Sequence, residues 1–149
     1  MATISAPLGS RTAYTVTLTS LANSTYVASS AVDTSATDPL DVIVEVEVTP
    51  GTVSGNKQAK VFAQVSMNGS DYSTGPTSGT TTTDEPNLYY LGVLPLGSNS
   101  TLQRKAFSMM AAIGFVPYSH KLVVQNDSGA SFAGSACAAY YTMVTGSST

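Results

Sequence analysis

The sequence predicts an all-β fold, and within that class a two-sheet antiparallel β-sandwich, jelly-roll-like, with an extended N-terminal arm. Three observations support this prediction. Apolar and polar residues alternate with a period of two along several segments, turn signals separate those segments at short spacing, and no segment has a convincing helical period. Together they give about seven or eight strands, a number typical of sandwiches and jelly rolls.

The 149 residues divide into three parts. Residues 1–13 are expected to form the extended arm, because they contain Pro7, Gly9 and a single charge but no periodicity. Residues 14–145 have the length of one domain and are assigned to a single β-sandwich domain. Residues 146–149 are expected to be a frayed tail.

The first half of the domain contains the clearest strand. Residues 14–21 alternate, and residues 26–32 are a possible short strand. In residues 41–49 one face carries only valines, which is the pattern of a sheet with one buried and one solvated face. The valine face consists of Val42, Val44, Val46 and Val48, and the opposite face of Asp41, Ile43, Glu45 and Glu47.

The next predicted strand is residues 57–67, with an apolar face of Ala59, Val61, Ala63, Val65 and Met67. Phe62 lies on its polar face, and we expect it to pack under a loop or against a partner. Asn68-Gly69 follows directly and predicts a type I′ hairpin turn, because this dipeptide favours positive φ at both positions. Residues 73–86 contain no large apolar side chain and predict an exposed loop.

The second half begins with residues 87–96, which are apolar on both faces. They predict a strand buried on both sides, with Gly92 permitting a bulge or a close approach. Residues 101–113 form the only window compatible with a helix, although a strand at residues 105–111 is favoured. Strands at residues 121–125 and 136–144 complete the domain.

Residues for catalysis are few, so we expect a protein that is not an enzyme and has no cofactor. His120 is the only histidine and directly follows Ser119. Adjacent strand residues point to opposite faces, so the two are not expected to form a catalytic pair, and His120 is expected at the surface. Cys137 lies in a run of small residues and is expected to be a buried apolar side chain.

A transition-metal site needs several histidine or cysteine ligands, and this chain has one of each. Calcium needs only oxygen ligands, so the acidic stretch from Asp33 to Glu47 leaves two interpretations open. Its carboxylates form a solvated strand face, or they converge on a cation or on a partner's lysine or arginine. The stretch contains Asp33, Asp38, Asp41, Glu45 and Glu47.

Two tyrosine pairs, Tyr89-Tyr90 and Tyr140-Tyr141, place one ring on each face of a strand. We expect the inner ring of each pair to lie in the core. The outer ring is expected to contact a partner, because tyrosine suits both sugar and protein interfaces.

Charge is sparse. Charged residues make up 10% of the chain, against about 25% in an ordinary soluble domain. This suits a surface covered by neighbours, and also a threonine-rich β-protein with a neutral surface.

The net charge of −3 and the lack of a basic face predict no nucleic-acid binding. No apolar run is long enough to span a membrane, and residues 1–11 lack the pattern of a signal peptide, so we expect the protein to stay in the compartment where it is made.

The order of four segments resembles the head-decoration, or cement, proteins of tailed bacteriophages. These segments are VFAQVSMNGSDYSTGP at 61–76, NLYYLGVLPL at 87–96, KAFSMMAAIG at 105–114 and KLVVQNDSGA at 121–130. The resemblance implies a non-enzymatic virion protein, made in the host cytoplasm, that binds the capsid exterior as a dimer or trimer. There it stabilises contacts between copies of the major capsid protein.

Two alternatives remain open: a receptor- or carbohydrate-binding module of a phage tail fibre, and a tail-tube or tail-completion subunit. The interface candidates come from four places: the N-terminal arm, the apolar residue on the polar face of the strand at residues 57–67, the exposed loop at residues 73–86, and the pair of adjacent basic residues at 104 and 105. They are Ile4, Pro7, Leu8, Arg11, Phe62, Asp84, Glu85, Arg104 and Lys105.

Overall fold

The structure, a computed structural model, describes residues 4–148. These residues form two antiparallel sheets packed as an all-β sandwich, which confirms the predicted fold class. The strands are β1 Ile4–Ser5, β2 Thr12–Ala13, β3 Tyr26–Ala28, β4 Val32–Asp33, β5 Asp41–Val48, β6 Gln58–Ser66, β7 Ser78–Gly79, β8 Tyr89–Pro95, β9 Gln103–Ser108, β10 Ser119–Asp127, β11 Ala138–Val144 and β12 Ser147–Ser148. A 3₁₀ turn at Glu85–Asn87 and a short helix, α1 at Met109–Ile113, complete the elements.

The first sheet has the strand order β2-β11-β5-β9, and the second the order β7-β3-β10-β6-β8, with β4 also paired to β10. The core lies between these two sheets. The valine face of β5 is fully buried there, as predicted, and it faces the buried side chains of Ala59, Val61, Ala63 and Val65 from β6. Each buried valine contributes about 1.5–3 kcal/mol relative to an exposed one. Met67 does not join this face, because it lies beyond the end of β6 and is 69% exposed.

The strand predicted at residues 87–96 is not buried on both sides. It forms β8 at the edge of the second sheet, where Tyr89 and Tyr90 are 39% and 51% exposed. Gly92 has φ +147°, and the pairing register shifts opposite it, between Val61 and Phe62. The bulge predicted at Gly92 is therefore confirmed, and the sheet edge explains the exposed tyrosines.

The turn after β6 is not type I′. Only Gly69 has positive φ, whereas that turn needs it at both central positions. Instead, the side-chain oxygen of Asn68 accepts hydrogen bonds from the amides of Ser70 and Asp71, both at 2.9 Å. The asparagine thus closes a wider loop with its side chain.

Two other predictions are corrected in part. Residues 14–21 keep their alternation in burial, with Tyr14 and Leu18 in the core, but no strand forms because the chain crosses there between the sheets. The favoured strand at residues 105–111 is right as far as Ser108, where α1 begins. The Ser108 hydroxyl accepts from the Ala111 amide, which caps this short helix.

The predicted loop at residues 73–86 is mostly exposed and adds β7 to the edge of the second sheet. The terminal segments lie along the first sheet. Residues 4–13 follow β11 and β12 of the same chain, and β1 pairs with β12, where the sequence predicted a frayed tail. Residues 1–3 and 149 lie outside the described part of the chain. Contact of the arm with a neighbouring molecule stays a prediction.

Candidate interaction surface

His120 is not at the surface. It is fully buried on the inner face of β10, where the ring of Tyr14 packs against it with ring centres 5.8 Å apart. Its Nε2 lies 2.7 Å from the Tyr14 hydroxyl, and burial lowers the pKa of His120 to about 4. The Ser119 hydroxyl instead donates to the Val32 carbonyl and contacts the Tyr72 hydroxyl. Serine and histidine thus have different partners.

Cys137 is buried, as predicted, and burial raises the pKa of its thiol. Its sulfur lies 3.6 Å from the Thr49 carbonyl oxygen and 3.7 Å from that of Ala133. A buried thiol with a raised pKa has little thiolate character, so this side chain is a packing residue of the fold.

The acidic face of β5 is paired within the chain. Arg11 donates to Glu45 and its guanidinium lies 3.3 Å from the centre of the Tyr140 ring. Glu47 lies 3.5 Å from Arg11 and 3.4 Å from Arg104. The chain's own arginines thus meet these carboxylates. Across residues 4–148, no three His, Cys, Asp or Glu side chains are grouped so that they could hold a metal ion.

The two tyrosine pairs behave differently. Tyr141 packs on Tyr14 at the core, with ring centres 5.0 Å apart, and Tyr140 faces outward under Arg11, as the alternation predicts. Tyr89 and Tyr90 are both exposed, since β8 is an edge strand. The prediction of an inner core ring holds for the β11 pair and fails for the β8 pair.

The structure does not gather the nine predicted interface residues at one site. Pro7, Leu8 and Arg11 lie along β11, and Arg104 lies across the same sheet on β9. Ile4 pairs through its backbone with Ser148. These residues therefore lie around the first sheet.

The remaining candidates lie elsewhere. Phe62 is 4% exposed and packs with Tyr26 and Leu88, so its side chain lies under a loop, as one of its two predicted placements had it. It also lines a shallow cleft together with Glu85, and a contact there with a partner stays a prediction. Glu85 accepts from the Tyr26 hydroxyl, and Asp84 beside it is exposed. Lys105 is exposed at the edge of the sandwich, with its ammonium 5.4 Å from the Phe107 ring centre.

A surface that the sequence predicted only at Leu8 lies at one end of the first sheet. Leu8, Leu40 and Met110 are 69%, 51% and 41% exposed. Leu8 pairs with Val144, the Leu40 amide donates to the Val144 carbonyl at 2.7 Å, and the Met110 amide donates to the Asp41 carboxylate. We call Leu8, Leu40, Met110 and Val144 the apolar rim. Val144 is half-buried, and the other three are exposed apolar side chains on neighbouring backbone segments, a feature typical of binding surfaces.

A cleft of about 340 Å³ continues the apolar rim through Pro39. Thr34, Asp38 and Pro39 line one side, and Pro117 and Tyr118 the other. Thr34 joins the two sides, since its amide donates to the Tyr118 carbonyl at 3.0 Å and its hydroxyl donates to the Pro117 carbonyl. Tyr118 is 44% exposed. We call this depression the Tyr118 cleft.

Sequence reasoning missed Leu40 and Met110 for a physical reason. Leu40 stands between Pro39 and Asp41, and Met110 lies in the helix-compatible window, but neither position has a periodicity that marks its exposure. The only sequence signal for their exposure is a large apolar residue at the end of a strand. Burial at such a position depends on loops that are distant in sequence.

No protein-family model matches this chain, and no curated protein matches it significantly. Among residues 4–148, no helix has the length and apolar character needed to cross a membrane.

Proposed function

We propose that this protein is a non-enzymatic structural subunit of a virus particle. It binds the outer surface of a phage capsid and stabilises contacts between the major capsid subunits. The observation that carries this proposal is the apolar rim, where Leu8, Leu40 and Met110 are exposed around the end of β11.

The composition supports a role in assembly. Charged residues are depleted at the centres of protein interfaces, and this chain has only 10% of them. Binding to several capsid subunits at once strengthens attachment, because the second contact forms at a high effective concentration once the first is made. Modest contacts over a closed shell therefore give firm attachment.

The test uses particles of the phage that encodes this chain, produced without it. Purified chain is added, and binding is measured by co-sedimentation with full heads and by imaging of the decorated particles. We expect saturable binding on the outside of the head and greater resistance of the heads to heat or chelator. Density on the tail, or binding only to glycans, would overturn the proposal in favour of a tail subunit or a receptor-binding module.

Matched variants test the rim itself. Leu40→Ser and Met110→Ser are expected to weaken head binding about tenfold each, as for anchor residues of an interface. Met67→Ser is the control, because Met67 is as exposed as Leu8 but follows β6, away from the rim. Equal effects of all three variants would mean that the rim is not the contact surface.

A further inference from the structure

We propose that the Tyr118 cleft binds an arginine side chain of the partner protein. This inference rests on the proposed function, since it names the chemistry of the partner at the surface that includes the apolar rim.

The first argument is charge. Asp38 supplies a carboxylate to the cleft, and no lining residue is basic. Asp33 lies nearby on the same segment, but its carboxylate already accepts from the Ser35 amide at 2.8 Å. That hydrogen bonding lowers the pKa of Asp33 and holds its carboxylate within its own loop. Asp38 is therefore the acidic group that the cleft presents to a ligand.

The second argument is the aromatic residue that lines the same cleft. Tyr118 lines the cleft with Asp38, and a ring face attracts a cation. The same chain uses this combination at another place. Arg11 lies 3.3 Å from the Tyr140 ring centre while it bonds to Glu45. A ring and a carboxylate thus bind a guanidinium on this fold, and the Tyr118 cleft offers the same two groups to an outside side chain.

The third argument is preorganisation. The amides of Thr37 and Asp38 donate to the Thr34 carbonyl at 3.1 and 3.0 Å, so the acidic side of the cleft is a closed turn. Asp38 has φ +43°, a backbone conformation that the surrounding turn must hold in place. Binding to such a turn needs little further ordering of the chain.

Arginine fits better than lysine because its planar guanidinium stacks on a ring and bonds a carboxylate through two N–H groups, whereas an ammonium is a compact, strongly hydrated charge. Continuity with the apolar rim links the site to the proposed function. Pro39 lines the cleft and Leu40 belongs to the rim, so one partner surface can place an apolar residue and an arginine on adjacent positions.

The test is an NMR titration of the full chain with Nα-acetyl-arginine methylamide. The control ligand is the citrulline analogue, which has the same shape and no charge. We expect saturable shifts of the amides of residues 34–38, Val116 and Tyr118 with arginine and none with citrulline. Affinity should fall about tenfold in Asp38→Asn, since a charge-assisted bond is lost. Asparagine tolerates positive φ, so the turn remains intact in this variant.

Asp33→Asn is the matched control, with the same change of charge on the same segment. Tyr118→Phe should keep the affinity and Tyr118→Leu should reduce it several-fold, because the ring and not the hydroxyl holds the cation. Equal losses in Asp33→Asn and Asp38→Asn, shifts spread over all acidic residues, or the same amide shifts with methyl glucoside in place of arginine would each overturn the inference.

The co-sedimentation assay with phage heads distinguishes failure of this inference from failure of the proposed function. If the chain binds heads and Asp38→Asn binds as well as the unmodified chain, the arginine site is wrong and the capsid role stands. If arginine binds the cleft and the chain does not bind heads, the capsid role is wrong and the cleft is a basic-side-chain site for another partner.

Discussion

Nε2 of His120 lies 2.7 Å from the hydroxyl of Tyr14, in the core between the two sheets. His120 belongs to β10, the central strand of the second sheet, and Tyr14 directly follows β2 of the first sheet. The bond therefore joins the sheets across the sandwich. Among the described residues, Nδ1 of His120 has no hydrogen-bond partner. A protonated ring would leave a buried N–H without an acceptor, so the neutral ring is the form compatible with the fold.

The free energy of unfolding should fall when the pH is lowered from 7 to 4. Burial lowers the pKa of His120 from 6.5 in the unfolded chain to about 4 in the folded one. The unfolded state therefore binds more protons in this window, and the stabilisation present above pH 6.5 is lost progressively toward pH 4. The expected loss is about 2–3 kcal/mol. Urea unfolding at several pH values measures it.

A His120→Leu variant is the control, because it removes the imidazole and keeps every other titratable group of the chain. Its stability at pH 7 will be lower, but the slope of stability against pH between 6.5 and 4.5 should flatten relative to the unmodified chain. Identical slopes in the two proteins would show that His120 is not the titrating group.

Tyr14→Phe should destabilise the fold by about 1–3 kcal/mol at pH 7, because it leaves a buried ring nitrogen of His120 unpaired. Tyr141→Phe is the matched control. The Tyr141 ring packs on that of Tyr14, but no hydrogen bond of its hydroxyl is found among the described residues. Chemical unfolding of both variants should show a large change for the first and a small one for the second. The reverse order would mean that the hydroxyl of Tyr14 contributes little.

The sequence predicted the faces and ends of β5 but only the middle of β10, residues 121–125, and both outcomes have one physical reason. Alternation reveals a strand when one face is dry and the other wet, and Val42 to Val48 satisfy that condition. In β10, five successive residues from Leu122 to Asn126 are buried. The outer face is covered as well, because Tyr26, Phe62 and Leu88 pack with Val123. His120 gains its partner from a residue 106 positions away, and no local pattern encodes such a contact.

The candidate surface was harder to predict than the fold. Exposure of Leu40 and Met110 depends on which loop covers the end of β5 and β9, and this follows from tertiary packing. The arm residue Leu8 was predicted as a contact from its position alone. The bulge at Gly92 was predictable, because a glycine inside an apolar strand often marks a bulge or a close approach of another group.

Gly92→Ala should destabilise the fold by about 2–4 kcal/mol, through a positive φ and a steric clash. The φ is +147°, and a Cβ at this position would lie 2.8 Å from Cε1 of Phe107. Gly97→Ala provides the control, because a Cβ there meets nothing within 4 Å. Thermal unfolding should separate the two variants by several degrees. A Gly92→Ala protein as stable as Gly97→Ala would contradict the close approach of the two sheets at this edge.

Removal of residues 1–10 should weaken attachment to the head more than it weakens the fold. In the segment 5–10 every residue is exposed, and its described contacts with β11 and the tail are mainly backbone hydrogen bonds, such as that from the Gly9 amide to the Met143 carbonyl. Because the segment is exposed, each lost bond is expected to lower stability by only about 0.5 kcal/mol, the low end for an intramolecular hydrogen bond. The deletion keeps Arg11, so the contact with Tyr140 and Glu45 remains.

Head binding should fall about tenfold or more in the same deletion, because it removes Leu8 from the apolar rim. Leu8→Ser distinguishes loss of the side chain from loss of the strand pairing. If the substitution reproduces most of the binding defect with unchanged unfolding, the rim contact is responsible. Parallel loss of binding and stability in the deletion, with normal binding of Leu8→Ser, would assign the segment a role in folding alone.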